Sequence, residues 1–281
     1  MESQFDAMKK PNRRVRKRKS QSSQKDSDFE VNTIDKLSTS IRDEGLRMAF
    51  FSRQPTKDNN RHAREKAREV LNSSIKMYRP AAIVSTEIIN LSDNRAFVVE
   101  DEFCMLNSWY RNDSERCIRL LVSGSKNDAA TTYFVPPRST FHIGSVSDVR
   151  NFASINGETF DLVVMDPPWE NLSVKRQQSY VTCGSPLESV DLECLAADGL
   201  VAVWITNRKG IESELGAYFR RWKLTQLATF FWLKVTLEGD PVCSFNSSHK
   251  LPYERLVFAS RTEYSARYPA ISAADGKVIV R

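Results

Sequence analysis

The sequence predicts an α/β protein: an open sheet with helices on both faces, preceded by a smaller N-terminal flanking region. Two observations carry this expectation. From Pro136 onward, short apolar runs alternate with amphipathic stretches, as strands and connecting helices do. One of those runs, Phe160-Asp161-Leu162-Val163-Val164-Met165, leads straight into Asp166-Pro167-Pro168-Trp169, a stiff turn placed where a strand would end.

The elements are justified in chain order. Residues 1–32 are rich in Lys, Arg, Ser and Gln and nearly free of large apolar groups, so they read as a disordered basic tail. Residues 33–135 form the flanking region. It opens on an apolar rhythm (Ile34, Leu37, Ile41, Leu46, Met48, Phe50, Phe51) that suggests a docking segment. Asn59-Asn60 caps an expected helix over Arg61 to Met77, with Ala63, Ala67, Val70, Leu71 and Ile75 inward. Ala96–Val99 and Ile118–Val122 read as short strands.

Residues 136–281 form the α/β domain. Phe141-His142-Ile143 is a strand ending at Gly144-Ser145, and Phe160–Met165 is a fully buried strand. Leu187 to Leu195 reads as a helix, Leu200–Ile205 as a second buried strand, and Ile211–Trp222 as a helix. Leu227–Val235, Glu254–Ala259 and Lys277–Val280 complete the strands. In open α/β sheets, ligands sit beyond the carboxyl ends of the strands, which is where Asp166 to Trp169 fall.

Composition narrows the class. No window approaches the roughly 20 apolar residues of a membrane span, and the basic, polar N-terminus is unlike a signal peptide. The five cysteines (Cys104, Cys117, Cys183, Cys194, Cys243) are scattered without a C-x-x-C pair, and the three histidines (His62, His142, His249) are dispersed. The expectation is a soluble, monomeric intracellular protein with reduced thiols and no metal.

The net charge of +6 is unevenly held. Lys9, Lys10, Arg13, Arg14, Arg16, Lys17, Arg18 and Lys19 are eight cations with no acid among them, and the other 33 basic and 35 acidic residues leave −2. Such a run reads as a nuclear-localisation signal met by an import receptor, or as a nucleic-acid-binding arm. A solvated tail is the plain alternative.

The turn has a chemistry. An exocyclic amine on a heteroaromatic ring gives its lone pair to the ring and is a poor nucleophile. Accepting hydrogen bonds from both N–H groups favours a more pyramidal nitrogen. Asp166 offers a carboxylate and Pro167 a carbonyl, the two prolines keep the turn stiff, and Trp169 offers a face for a base. A methyl sulfonium donor needs no metal, so alignment and hydrogen bonds carry catalysis.

Three separated blocks, FDLVVMDPPWENLSVKR (160–176), VAVWITNR (201–208) and SSHKLPYERLV (247–257), give the chain its closest likeness. It resembles the DPPW-type adenine-N6 methyltransferases, most closely the methyltransferase-like protein four branch, over about Phe141 to Ala259. The resemblance implies a Rossmann-like sheet, S-adenosylmethionine as donor, and adenine in RNA or DNA as acceptor. It implies that Asp166, Pro167, Pro168 and Trp169 hold the amine, with Asp166 also beside the donor. Ser145 and Val146 match donor-contacting positions. Asn171, Lys175, Arg176, Asn207, Lys250 and Glu254 fall on the substrate side.

Plainer readings stand beside these. Lys175 and Arg176 suit a solvated loop equally well, Trp204 reads as core rather than platform, and Asn207 serves as well as a turn cap. The family also has an acid where this chain has Ser145, and it continues past the strand at Lys277–Val280. The expected sheet is therefore truncated at the C-terminus, with an incomplete donor pocket. A nuclear methyltransferase acting on small nuclear RNA is the leading expectation. A DNA adenine methyltransferase, or a non-catalytic nucleic-acid-binding relative, is the alternative.

Overall fold

The computed structural model describes residues 21–48, 51, 88–92, 96–99, 105, 107–122, 131–149, 159–169, 187–192, 194–246 and 251–280. The expected helix at 61–77, the cationic run, Asn171, Lys175, Arg176, His249 and Lys250 lie outside them.

The element that positions the site is a five-stranded sheet. Its strands are β7 (Phe160–Met165), β8 (Leu195–Ile205), β9 (Leu224–Leu233), β10 (Tyr253–Arg261) and β11 (Val278–Val280), in spatial order β11-β9-β10-β8-β7. β7 and β8 run parallel, β10 lies antiparallel between β8 and β9, and β11 is parallel to β9. The carboxyl ends of β7, β8 and β9 therefore share one edge of the sheet, and β10 begins there. The architecture is Rossmann-like α/β.

Helix α2 (Ile211–Arg221) joins β8 to β9. Ile211, Leu215 and Phe219, spaced four apart, are buried against Val201, Val203, Val257 and Ala259. Each such side chain contributes about 1.5–3 kcal/mol by leaving water. Glu212 and Glu214 in the first turn and Arg220 and Arg221 in the last suit the helix dipole.

Helix α1 (Gln21–Arg47) packs on the same face as α2. Ile34 is buried with Leu233, Phe245 and Tyr253, with Val31 and Ile41 beside it. α1 thus brings regular structure back into residues whose composition predicts disorder. Its contacts explain this: docking on the sheet supplies the burial that the helix cannot supply alone. The apolar rhythm from Ile34 to Ile41 is the docking segment, while Leu37 and Met48 stay exposed.

Two further sheets precede this one. β1 (Ile88–Asn90), β3 (Trp109–Asn112) and β6 (Ser139–His142) form one, and β2 (Ala96–Val99), β4 (Ile118–Val122) and β5 (Thr131–Val135) the other. They share a core of Leu91, Met105, Tyr110, Ile118, Leu120, Val122 and Val135. The fully buried Asn112 fixes the corner, its amide nitrogen donating to the Arg116 and Pro136 carbonyls at 2.8 Å. The expected strand at Phe141 therefore pairs with β3, not with the five-stranded sheet.

Two expectations need correction. The described residues of Leu187–Leu195 are not helical: turns at 187–189 precede β8, which begins at Leu195. The carbonyls there serve α2 instead, since Arg221 donates to Glu188 at 2.8 Å and the Trp222 indole to Val190 at 3.1 Å. Leu187, Val190 and Leu192 enter the α2 core one by one, which mimics helical spacing.

Nor is β7 fully buried. Val163 and Met165 pack into the α2 core, while Phe160, Leu162 and Val164 are exposed. Strand alternation sends them to opposite faces, and among the described residues both long helices cover the same face.

Candidate active site

Three strand ends meet at the carboxyl edge of the sheet. The pairings Met165↔Val203 and Arg255↔Ile205 bring the end of β7, the end of β8 and the start of β10 side by side. Asp166 leaves β7 here with an exposed carboxylate, and no hydrogen bond or ion pair engages it among the described residues. It continues the alternation of Leu162 and Val164, on the face away from α2.

That face carries an aromatic pair. Val203 and Ile205 turn toward α2, so Trp204 turns away from it. Trp232 faces Trp204 with ring centres 5.4 Å apart and planes tilted by 57°, and both are partly exposed. Lys234 Nζ lies 4.9 Å from the Trp232 ring centre and 2.6 Å from Glu254 Oε1. An exposed carboxylate, two indoles and a neutralised Lys–Glu pair thus line one rim.

Trp169 turns the other way. Its side chain is 2 % exposed within the α2 core, and its indole N–H donates to the Trp204 carbonyl at 2.7 Å. Trp169 is therefore a strut between the turn and β8, and the expectation that it offers a stacking face is corrected. The physical reason is local. The Trp169 N–H folds back to the Pro167 carbonyl at 2.8 Å, which swings the next side chain inward. That carbonyl keeps a second lone pair.

Asn207 is exposed, and its side chain also ties two strands together. Its amide donates to the Tyr253 carbonyl at 2.7 Å, joining the end of β8 to the start of β10. Arg255 strengthens the joint. Its guanidinium donates to the Thr206 carbonyl at 3.2 Å, pairs with Glu212, and lies 3.9 Å from Glu30. Tyr253 donates to Glu30 at 2.7 Å, and burial, then this hydrogen bond, pushes its hydroxyl above the ordinary tyrosine value.

Ser145 and Val146 belong to a separate corner beside β6. Ser145 caps a short 3-10 turn (Val146–Asp148) in a capping box: its hydroxyl accepts from Ser147, and its N–H donates to Asp148 at 3.0 Å. Asp148 also meets His142 Nε2 at 2.9 Å, while His142 Nδ1 lies 2.9 Å from the Ser108 carbonyl and the ring stacks on Trp109. Gly144 permits this: a Cβ there would stand 2.3 Å from His142 Nε2.

These residues divide in their fit to a sulfonium donor. Asp166 offers an exposed carboxylate and Val146 an exposed apolar surface, whereas Ser145 is already engaged by its own turn. Among the described residues no cluster of three or more His, Cys, Asp or Glu is arranged to hold a metal.

Sequence reasoning left out Trp232, Lys234 and Arg255. A signal existed: Trp232 and Lys234 stand two apart at the end of an apolar run, which puts them on one face.

Comparison with known proteins follows the same geometry. The family model MT-A70 matches residues 160–280, from the first residue of β7 to the last of β11. A DNA N6-methyl methyltransferase of Caenorhabditis elegans is 33% identical over 270 residues, covering 95% of this chain and 70% of that protein. The chain belongs to the MT-A70 family. MT-A70 proteins are S-adenosylmethionine-dependent adenine-N6 methyltransferases.

Two further relatives match about half of this chain. The N6-methyladenosine RNA methyltransferase MTA1 of Cryphonectria parasitica is 39% identical over 158 residues, 52% of this chain and 46% of that one. The human N(6)-adenine-specific methyltransferase METTL4 is 36% identical over 141 residues, 48% of this chain and 29% of that one. The chain thus spans less than half the length of either. The rim from Asp166 to Glu254 lies inside the MT-A70 segment, and Ser145 and Val146 precede it.

Proposed function

We propose that this chain methylates the N6 amine of adenine in RNA, with small nuclear RNA as its target. The observation that carries the reading is the exposed Asp166 carboxylate, unengaged among the described residues, beside the partly exposed Trp204–Trp232 pair. An unstacked base lies against the indoles, where stacking contributes about 1–3 kcal/mol per base. Its amine then donates to Asp166 and to the second lone pair of the Pro167 carbonyl, which makes the nitrogen more nucleophilic. S-adenosylmethionine, when bound, supplies the electrophilic methyl group.

Asp166 attracts the positive charge that the nitrogen gains and stands ready to take the surplus proton. Val146 offers apolar contact to the donor. Asn171, Lys175, Arg176 and Lys250 take the substrate side on the strength of the family likeness, the two cations and Lys250 facing phosphates. RNA is favoured because a single strand presents an unstacked base, whereas a duplex pays a few kcal/mol to flip one out. The cationic run, by its composition, is proposed to serve nuclear entry through an import receptor.

DNA is the second reading, favoured by the C. elegans relative that covers 95% of the chain. Mass spectrometry of N6-methyladenine in RNA and DNA oligonucleotides of equal sequence decides between them. Methylation of DNA alone would sink the RNA reading.

A further inference from the structure

The sheet β2-β4-β5 contributes its inner face to the shared N-terminal core, where Ile118, Leu120, Val122 and Val135 are buried. Strand alternation turns Arg119 and Leu121 outward, together with Cys117 just before β4. The antiparallel register sets Arg119 directly opposite Phe134, and Leu121 opposite Thr132. On the other side β2 places Val98 opposite Leu121. Phe134 is 66 % exposed and Val98 64 %, the two highest values among the large apolar side chains of the described residues. Both stand on this one face, with Arg119 on the strand between them.

Charge on this face has one sign. Arg119 is exposed on it, and Arg116 is exposed in the turn before β4. Neither guanidinium is engaged by a hydrogen bond or ion pair among the described residues. The acids of the same turn are held by other groups. Glu115 pairs with Arg138, while Asp113 accepts from Asn90 at 3.3 Å and lies 3.8 Å from Arg111. The outward positions of β4 and β5 carry no acid.

An occupant of this face must suit an exposed ring and uncompensated positive charge together. An apolar protein surface would cover Phe134 and Val98 but bury Arg119 without a counter-charge, which is strongly unfavourable. A single strand of nucleic acid meets both conditions, since its bases stack on aromatic faces and its phosphates take cations. We propose that the outer face of β2-β4-β5 is a second nucleic-acid-binding surface. A base stacks on Phe134, Arg119 and Arg116 hold phosphates, and Val98 borders the track. This sheet is not the one that bears Asp166, so the surface adds affinity and not chemistry. The inference rests on the substrate being a nucleic acid.

The test uses the full chain and a fluorescent single-stranded, adenine-containing RNA, with Kd measured by anisotropy over a range of salt. All substitutions lie on the surface, so the melting temperature should stay within a few degrees. Phe134→Ala should weaken binding about 5- to 150-fold, the loss of one stacked base, with the salt slope unchanged. Phe134→Leu should weaken it nearly as much, because it keeps apolar area and loses the ring face, whereas Phe134→Trp should retain parental affinity. Arg116→Gln and Arg119→Gln together should flatten the slope of log Kobs against log salt by about 1.4, or about 0.7 per phosphate contact.

The exposed Cys117 thiol reports on the same face. Saturating RNA should slow its alkylation, followed by peptide mass spectrometry, in the parent. At the same RNA concentration it should not do so in Phe134→Ala. Parental affinity in both Phe134→Ala and the double arginine variant would overturn the proposal, as would Cys117 left unprotected by bound RNA. Parental affinity in Phe134→Leu, with loss in Phe134→Ala, would overturn base stacking and favour an apolar protein partner. If binding behaves as expected but the parent methylates no oligonucleotide, the surface stands and the methyltransferase reading falls. Methylation by the parent with no change of affinity in any variant overturns the surface alone.

Discussion

Replacing Trp169 separates a strut from a platform. The indole is 2 % exposed, packed in the α2 core, and donates to the Trp204 carbonyl at 2.7 Å. Trp169→Ala should cost about 3–5 kcal/mol for the cavity, and the unpartnered Trp204 carbonyl should add about 1 kcal/mol or more. Trp169→Phe keeps most of the packing and loses the hydrogen bond, so about 1–2 kcal/mol is expected. Urea denaturation measures both, and steady-state kinetics on an RNA oligonucleotide, at a temperature where each variant is folded, measures KM. The expected result is a lowered midpoint with KM for RNA within about threefold of the parent. A parental midpoint with KM raised tenfold or more would refute the reasoning, because the indole would then be touching the base.

The aromatic pair should behave in the opposite way. Trp204→Ala and Trp232→Ala should each raise KM for RNA by about 5- to 150-fold, corresponding to 1–3 kcal/mol of stacking, and an unchanged KM in both would remove them from the site. Gly144→Ala should push His142 from Asp148 and lower stability by about 1.5–3 kcal/mol, the range of a hydrogen bond to a charged group. Adding Asp148→Asn should then cost little more, and full additivity in thermal melts would contradict the shared cause. The Tyr253 hydroxyl lies above its ordinary value of 10.0 in the folded chain. The folded state therefore holds this proton more tightly: its contribution is complete below about pH 10 and is lost as pH rises further. Tyr253→Phe should remove that alkaline loss of stability, and an identical fall above pH 10 in both chains would contradict it.

Much of the sheet was legible because apolar runs of strand length stand between polar turns. Leu200–Ile205 and Glu254–Ala259 fall within strands of one sheet, and the expected Lys277–Val280 contains its short edge strand Val278–Val280. The helix at Ile211 was legible from its four-residue spacing. Leu187–Leu195 misled because residues that enter a core singly from a turn show the same spacing. Leu162 and Val164 misled because an apolar run reveals that both faces avoid charge, not that both are covered. Trp169 shows the limit for the site. Sequence locates an indole at a strand end, but the backbone bond to the Pro167 carbonyl decides which side of the sheet it enters. α1 was legible only where Ile34 and Ile41 supply apolar contact, since Glu30 and Arg42 dock through partners more than 190 residues away.

Asp166 is where these lines converge, and one measurement addresses it directly. N6-methyladenine formed in an adenine-containing RNA by the parent chain and by Asp166→Ala is quantified by mass spectrometry, with thermal melting as the check on folding. An exposed carboxylate unengaged among the described residues contributes little to stability, so the melting temperature should stay within a few degrees. Turnover should fall by about a hundredfold or more, the scale of removing a group that stabilises developing charge. Turnover within about threefold of the parent, in a chain that melts at the parental temperature, would contradict the assignment of the acceptor site to the carboxyl end of β7.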